Sequence, residues 1–132
     1  MLHRVIYASE AVGAAGFSTL SLAHILGAAE RNNRREHITG MLMVHQGHVL
    51  QVLEGSRPDL DRLMRRLLAD PRHTGLRILS DVPVAARQWN EPMQLCDRAA
   101  VMLDRMGLQS LACVTADEAR VIVDRKAAAR GR

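Results

Sequence analysis

Aromatic residues are almost missing from this chain of 132: Tyr7, Phe17 and Trp89 are the only three. That excludes the stacking platform with which proteins grip single-stranded nucleic acid. It also leaves the core to be built from Leu, Ile, Val, Met and Ala. Cysteine is nearly as scarce. Cys96 and Cys113 stand alone, with no spacing that reads as a metal or redox motif. Two reduced thiols in a cytoplasmic protein are the expectation. No apolar run is long enough to span a membrane, and the apolar start is too short for a signal peptide. The charge excess is small, 18 basic against 14 acidic residues for a formal +4. Its basic residues are scattered over Arg34-Arg35, Arg62, Arg65-Arg66 and a tail from Lys126 to Arg132, so no basic stripe and no nucleic-acid partner are expected.

What is present is a pattern of alternation. A chain of this length makes one domain, burying roughly 68–70% of the surface it would expose unfolded. Leu2 to Ser9 reads as a strand with Val5, Tyr7 and Ser9 on one face. A small-residue loop, Ala11 to Gly16, leads to a helix capped by Ser18, with Leu22, Ile25, Leu26 and Ala29 as its apolar stripe. Asn32 or Asn33 is expected to close it, because Asn tolerates the left-handed conformation at a helix end. Ile38 to His45 and His48 to Glu54 flank Gln46-Gly47 as a hairpin. A second helix is capped by Ser56 with Asp59 completing a variant box. Its stripe is Leu60, Leu63, Met64, Leu67 and Leu68, and Asp70-Pro71 stops it. Leu76 to Ser80 is a fourth strand, and Ala86 to Leu95 contains a fifth.

The order β-α-β-β-α-β-β is that of an α+β, ferredoxin-like sheet with two helices on one face. Residues 1–96 form this domain. Residues 97–132 are a helical extension in the same compact unit, with helices over Asp97 to Leu108 and Thr115 to Ala129. Thr115-Ala116-Asp117-Glu118 is a full capping box. The extension should cover the second sheet face.

On the third strand both faces are apolar, yet Gln51 sits in the middle of one of them. A buried amide costs a few kcal/mol unless it finds partners. Alone it would be a core Gln bonded to neighbouring backbone. Tyr7 alone would be a core phenol. Arg66 and Asp70, four apart on the second helix, would be a surface ion pair. The six histidines suggest no metal, because no carboxylate or Cys is placed to complete a site around His45 and His48.

Read together these residues resemble the BLUF family, the flavin-using sensors of blue light. The resemblance runs through Tyr7-Ala8-Ser9, Asn32-Asn33, Ile38-Thr39-Gly40-Met41-Leu42, Leu50-Gln51-Val52-Leu53-Glu54-Gly55 and Asp70-Pro71-Arg72-His73, covering about residues 2 to 95. It implies the ferredoxin-like fold with FAD bound non-covalently between the two helices. It implies flavin contacts from Asn32, Asn33, Gln51, Arg66 and Asp70. It further implies that light drives electron and proton transfer from Tyr7 to the flavin, after which Gln51 is left rotated or tautomerised with new hydrogen bonds. The chain would not be an enzyme. Its signal would pass to an unidentified downstream protein or a changed oligomer.

The family pattern breaks near the end of the match. Where Arg-x-Phe, then Trp, then x-Met is usual, this chain has Arg87-Gln88-Trp89, and ungapped alignment puts Pro92 at the Trp position and Gln94 at the Met position. A one-residue deletion would match Met93 instead. Since Pro donates no ladder bond, the fifth strand should be short or broken near Pro92, with Met93 rather than Gln94 facing the flavin. Trp89 and Met93 are then the expected output residues. The rival readings are a ferredoxin-like binding module without photoactivity, and a small phosphatase. The phosphatase is disfavoured because only Gly13 and Gly16, and no basic anion cradle, follow the first strand.

Overall fold

In a computed structural model of the protein, residues 1–11, 31–71, 73–96 and 98–130 are described, with the backbone alone at Ala11, His73 and Arg130. Ala11, expected to open a loop, instead ends the first strand; the rest of that loop, the Ser18 cap, the stripe through Leu22, Ile25, Leu26 and Ala29, and the expected helix start at Asp97 lie outside the described residues.

Five strands form one sheet in the order β4-β1-β3-β2-β5. They are β1 (Leu2–Ala11), β2 (Thr39–His45), β3 (His48–Ser56), β4 (His73–Val84) and β5 (Gln94–Cys96). β1 pairs antiparallel with β3 and β4, and β2 antiparallel with β3 and parallel with β5. This is the split βαβ arrangement expected, and the sheet is a ferredoxin-like one. The β2–β3 turn is made by Gln46 and Gly47 at φ 49° and 80°, the pair of positive values that a two-residue hairpin of the right twist requires.

β4 is longer than expected and carries Pro83. It tolerates the proline because β4 is an edge strand, paired only with β1. β5 is only three residues long, starting two residues after Pro92.

The helix before β2, α1, is described over 31–35. It does not close at Asn32 or Asn33. The left-handed position falls to His37, at φ 57°. The Ile38 N–H donates to the Asn33 carbonyl at 2.8 Å and the His37 N–H to the Arg34 carbonyl at 3.4 Å, a Schellman closure. The asparagines therefore sit in the last turn of the helix, one of them facing inward.

α2 (Arg57–Ala69) starts as expected, with the Ser56 hydroxyl accepting from the Asp59 N–H. Its buried stripe is Leu60, Leu63 and Met64, with Leu67 half-buried. Leu68 does not join it and is 65% exposed. It lies about 80° around the helix from Leu60, past the edge of the sheet-facing stripe.

The extension is α3 (Ala99–Arg105) and α4 (Ala116–Arg130). The Thr115 capping box forms in both directions: Thr115 N–H to Glu118 Oε1 at 2.9 Å, and Glu118 N–H to Thr115 Oγ1 at 3.1 Å. These helices bury one sheet face. Met102, Leu103, Ile122 and Val123 pack with Ile6, Met41, Leu50 and Val52. Arg77 of β4 ties the α3–α4 loop down by donating to the carbonyls of Ala112 and Val114. The opposite face carries a second, smaller cluster of Val5, Tyr7, Ile38, Leu53 and the α2 stripe. Among the described residues no helix is long and apolar enough to cross a membrane.

Candidate functional site

Tyr7 and Gln51 are direct cross-strand partners in the β1–β3 register, so their side chains emerge side by side on the smaller, α2-covered face. The Tyr7 hydroxyl donates to Gln51 Oε1. Burial, and behind it the Asp70 carboxylate, push the phenol well above its ordinary pKa, so Tyr7 is a neutral donor. With its oxygen engaged by Tyr7, Gln51 turns Nε2 toward Met93 Sδ at 3.5 Å. A thioether is a weak acceptor. The amide is thus strongly held at one end and loosely at the other, and a better acceptor could take over its donor.

Asn33 completes the group. It is 1% exposed, and its Nδ2 donates to the Pro92 carbonyl at 2.8 Å. Its Oδ1 is buried and has no partner among the described residues, and the same holds for the Ser9 hydroxyl. The segment carrying Pro92 and Met93 is itself positioned by β2. The Gly40 N–H donates to the Glu91 carbonyl at 3.0 Å. A Cβ at Gly40 would stand 2.0 Å from the Val52 carbonyl oxygen, so only glycine fits.

The remaining expected residues are spread around this centre. Asn32 is half-buried and accepts from Arg35 at 2.9 Å, a local contact on its own helix. Arg66 does not pair with Asp70. It grips Glu36 through two bonds of 2.9 Å, bridging α2 to the end of α1. That bond holds the Glu36 carboxyl below its ordinary range and the guanidinium above its own. Asp70 caps the C-terminus of α2, close enough to Tyr7 to act on its phenol. Met93 stands beside Gln51, whereas Gln94 pairs with Met41 and lines a cleft with Trp89, Cys96 and Lys126 on the extension face. Trp89 is buried on that extension face too, across the sheet from Gln51. The described residues hold no cluster of metal-ligating side chains.

Sequence reasoning missed Glu54. It is fully buried and accepts from Arg4, from the N–H groups of Gln88 and Trp89, and from Thr39. The signal was available: Glu54 continues the alternation of Leu50 and Val52 and so belongs to a face that is otherwise apolar. Arg87, which donates to Thr39 Oγ1 and to the carbonyls of Glu54 and His37, was seen only as part of a motif.

The fold defines a ferredoxin-like domain with a phenol and an amide buried and paired on the sheet face that α2 covers. The chain belongs to the BLUF family, described as sensors of blue-light using FAD, whose profile matches residues 2–94. Over 90 residues it is 31% identical to the photoactivated adenylate cyclase subunit beta of Euglena longa, covering 68% of this chain and 10% of that protein. It is 30% identical over 77 residues to the blue light- and temperature-regulated antirepressor BluF of Escherichia coli K12, covering 58% of this chain and 19% of that one. The chain therefore spans only a tenth to a fifth of these relatives. The dark-state structure of BlrB, a BLUF protein, superposes with a TM-score of 0.80 at 27% identity, covering 97% of this chain and 96% of that one.

The residues present fit a flavin. The pyrimidine edge of the ring alternates carbonyl acceptors with an N–H donor. The unpartnered Asn33 Oδ1 can accept, and Gln51 Nε2, now on sulfur, can donate.

Proposed function

We propose that this chain is a blue-light photoreceptor that binds FAD non-covalently and reports illumination through Tyr7 and Gln51. The observation that carries the reading is the hydrogen bond from the buried Tyr7 hydroxyl to Gln51, whose other end rests on a weak sulfur acceptor. A photoexcited flavin supplies a strong one-electron oxidant. Tyr7 is the only tyrosine and a neutral phenol, so it would pass an electron and its proton to that oxidant and regain both when the charges recombine. Gln51 would then be left rotated or tautomerised, its donor off Met93 and its hydrogen bonds rebuilt, with no bond made to the cofactor. Asn33, Asn32, Arg66 and Asp70 hold the cofactor, with Asn33 on the ring edge. For Arg66 to take part it must share or release Glu36.

The chain acts as a sensor rather than an enzyme, and passes its signal to a protein partner or a second copy. The cyclase and antirepressor relatives support such a division of labour, since the matched segment is a small part of each. Self-association draws on the exposed Val101 of α3 and Val121 of α4. Ile122 of the same helix is fully buried in the extension core and adds nothing to that surface.

The test is direct. The protein should purify yellow and release FAD, not FMN, on denaturation. Blue light should shift its absorption slightly to the red, reversibly in the dark. A colourless protein that neither flavin reconstitutes would overturn the reading. A yellow protein without the shift would favour a binding module that has lost photoactivity.

A further inference from the structure

The contact between Gln51 and Met93 is too weak to place itself. An amide N–H on a thioether at 3.5 Å cannot hold a strand segment against its own conformational freedom. Something else must fix the segment from residue 87 to 93, which carries Met93 and the Pro92 carbonyl.

That something is visible on the opposite face of the sheet. In β3, Glu54 is flanked across the strands by Arg4 on β1 and Thr39 on β2. Arg4 Nε meets its carboxylate at 2.9 Å. From above, the Gln88 N–H donates to Oε2 at 2.9 Å and the Trp89 N–H to Oε1 at 2.9 Å. Hydrogen bonds to an ionised acceptor are about twice as strong as neutral ones. Arg87 fastens the same turn to the segment after α1, the start of β2 and β3, reaching the His37 carbonyl, Thr39 Oγ1 and the Glu54 carbonyl at 2.8 Å each. From this anchor the chain passes the start of β2, where Gly40 receives it, and the last turn of α1, where Asn33 does. It then delivers Met93 to Gln51. The anchor lies three residues from Gln51 on one strand and faces the other way.

We propose that Glu54 is a positioning residue for the Tyr7–Gln51 site: its buried carboxylate pins the turn at Gln88 and Trp89, and so sets where Met93 and the Pro92 carbonyl stand against Gln51 and Asn33. This rests on the photoreceptor reading for its consequence in light, but not for the pinning itself. The same turn touches the extension, since Gln88 Nε2 donates to Asp124 of α4 at 2.9 Å. Glu54 thus sits where a displacement at Met93 and a displacement at α4 share one pivot.

The experiment compares Glu54→Gln, which keeps one oxygen acceptor, with Glu54→Met, which keeps neither. Both are studied on the full chain at a temperature where it is fully folded. Amide exchange at Gln88 and Trp89 should rise at least about tenfold in the Met variant and less in the Gln variant. The ladder amides of Ile6 and Val52 should hardly change. The Met93 methyl resonance should move in the same order. In flavin-loaded protein the rate of dark recovery should change in that order too, while Tyr7 and Gln51 remain in place. Should the Met variant fail to fold, the Gln variant carries the same measurements. Unchanged exchange at 88 and 89, or altered exchange with an unmoved Met93 resonance, would overturn the proposal. If the protein binds no flavin, the photoreceptor reading fails while exchange and the methyl resonance still decide the pinning. In flavin-loaded protein, loosened exchange with an unaltered recovery rate would also overturn it.

Discussion

The two faces of β3 are built from alternate residues of one short stretch, and they are stabilised in different ways. On the extension side Leu50 and Val52 are fully buried among the side chains of α3 and α4. On the other side Val49, Gln51 and Leu53 share the surface with Tyr7, and the buried amide is bonded firmly at its oxygen and loosely at its nitrogen. One face is closed by apolar contacts, with the buried carboxylate of Glu54 fully bonded at its end. The other carries polar atoms with spare hydrogen-bonding capacity, at Asn33 and Ser9. A site meant to switch needs the second kind of surface, and it needs the first kind behind it so that the strand does not move as a whole.

Breaking the closed face should have the largest effect. Leu50→Ala opens a cavity under α3 and α4 and should cost ~3 kcal/mol, within the usual range for a buried leucine. Denaturant unfolding followed by the single Trp89 would show it. If the loss is below ~1 kcal/mol, the extension is not sealing the sheet.

Gln51→Leu and Tyr7→Phe should act the opposite way. Tyr7→Phe removes the donor of the phenol–amide bond, and Gln51→Leu removes its acceptor together with the weak donor to Met93, for ~1 kcal/mol or a little more each. Both should retain flavin and lose the light-induced red shift altogether. A normal shift in either variant would mean that the photochemical roles are assigned to the wrong residues.

Thr115→Ala removes the hydroxyl that caps α4 and should cost ~1 kcal/mol without touching the spectrum. A changed photocycle there would blur the contrast between the faces.

The Tyr7 phenol supplies a test by pH. Its folded-state pKa is raised, so the folded protein keeps its proton when the unfolded chain has lost it. The stabilising difference is intact below the ordinary phenol pKa of about 10 and is lost as pH climbs beyond it. Stability should therefore fall in strong alkali, and Tyr7→Phe should remove that part of the fall. An equal alkaline loss in the Phe variant would assign it to other groups.

The smallest effect separates neighbours. Met93→Ala should alter the light-driven change reported at the surface and leave the red shift in place. Gln94→Ala, which faces the extension cleft, should do little. The reverse pattern would restore Gln94 to the role that ungapped alignment gives it.

Much of this architecture is legible from neighbouring residues. The hairpin follows from Gln46-Gly47, the start of α2 from Ser56 with Asp59, and the start of α4 from Thr115 with Glu118, because each depends on atoms only a few residues apart. The alternation along β3 separates its two faces, and the motif residues around Tyr7 and Gln51 point to the pair that the β1–β3 register then sets side by side. Other features depend on groups far apart in the chain. His37 takes the left-handed turn expected of an asparagine, which leaves Asn33 in the helix and able to reach Pro92, 59 residues away. Arg66 bonds Glu36 rather than Asp70, 30 residues distant instead of four. Met93 and Gln94, successive residues of an extended segment, point to opposite faces, and only the packing of that segment beside β2 decides which faces Gln51. Glu54 reads as the polar end of a strand until Arg4 and the turn at Gln88 and Trp89 close over it. Local chemistry sets caps, turns and alternation within a few bonds. The partners of a buried charge or amide are settled only when distant strands arrive, since the cost of burying it is offset by whichever groups the fold brings within reach.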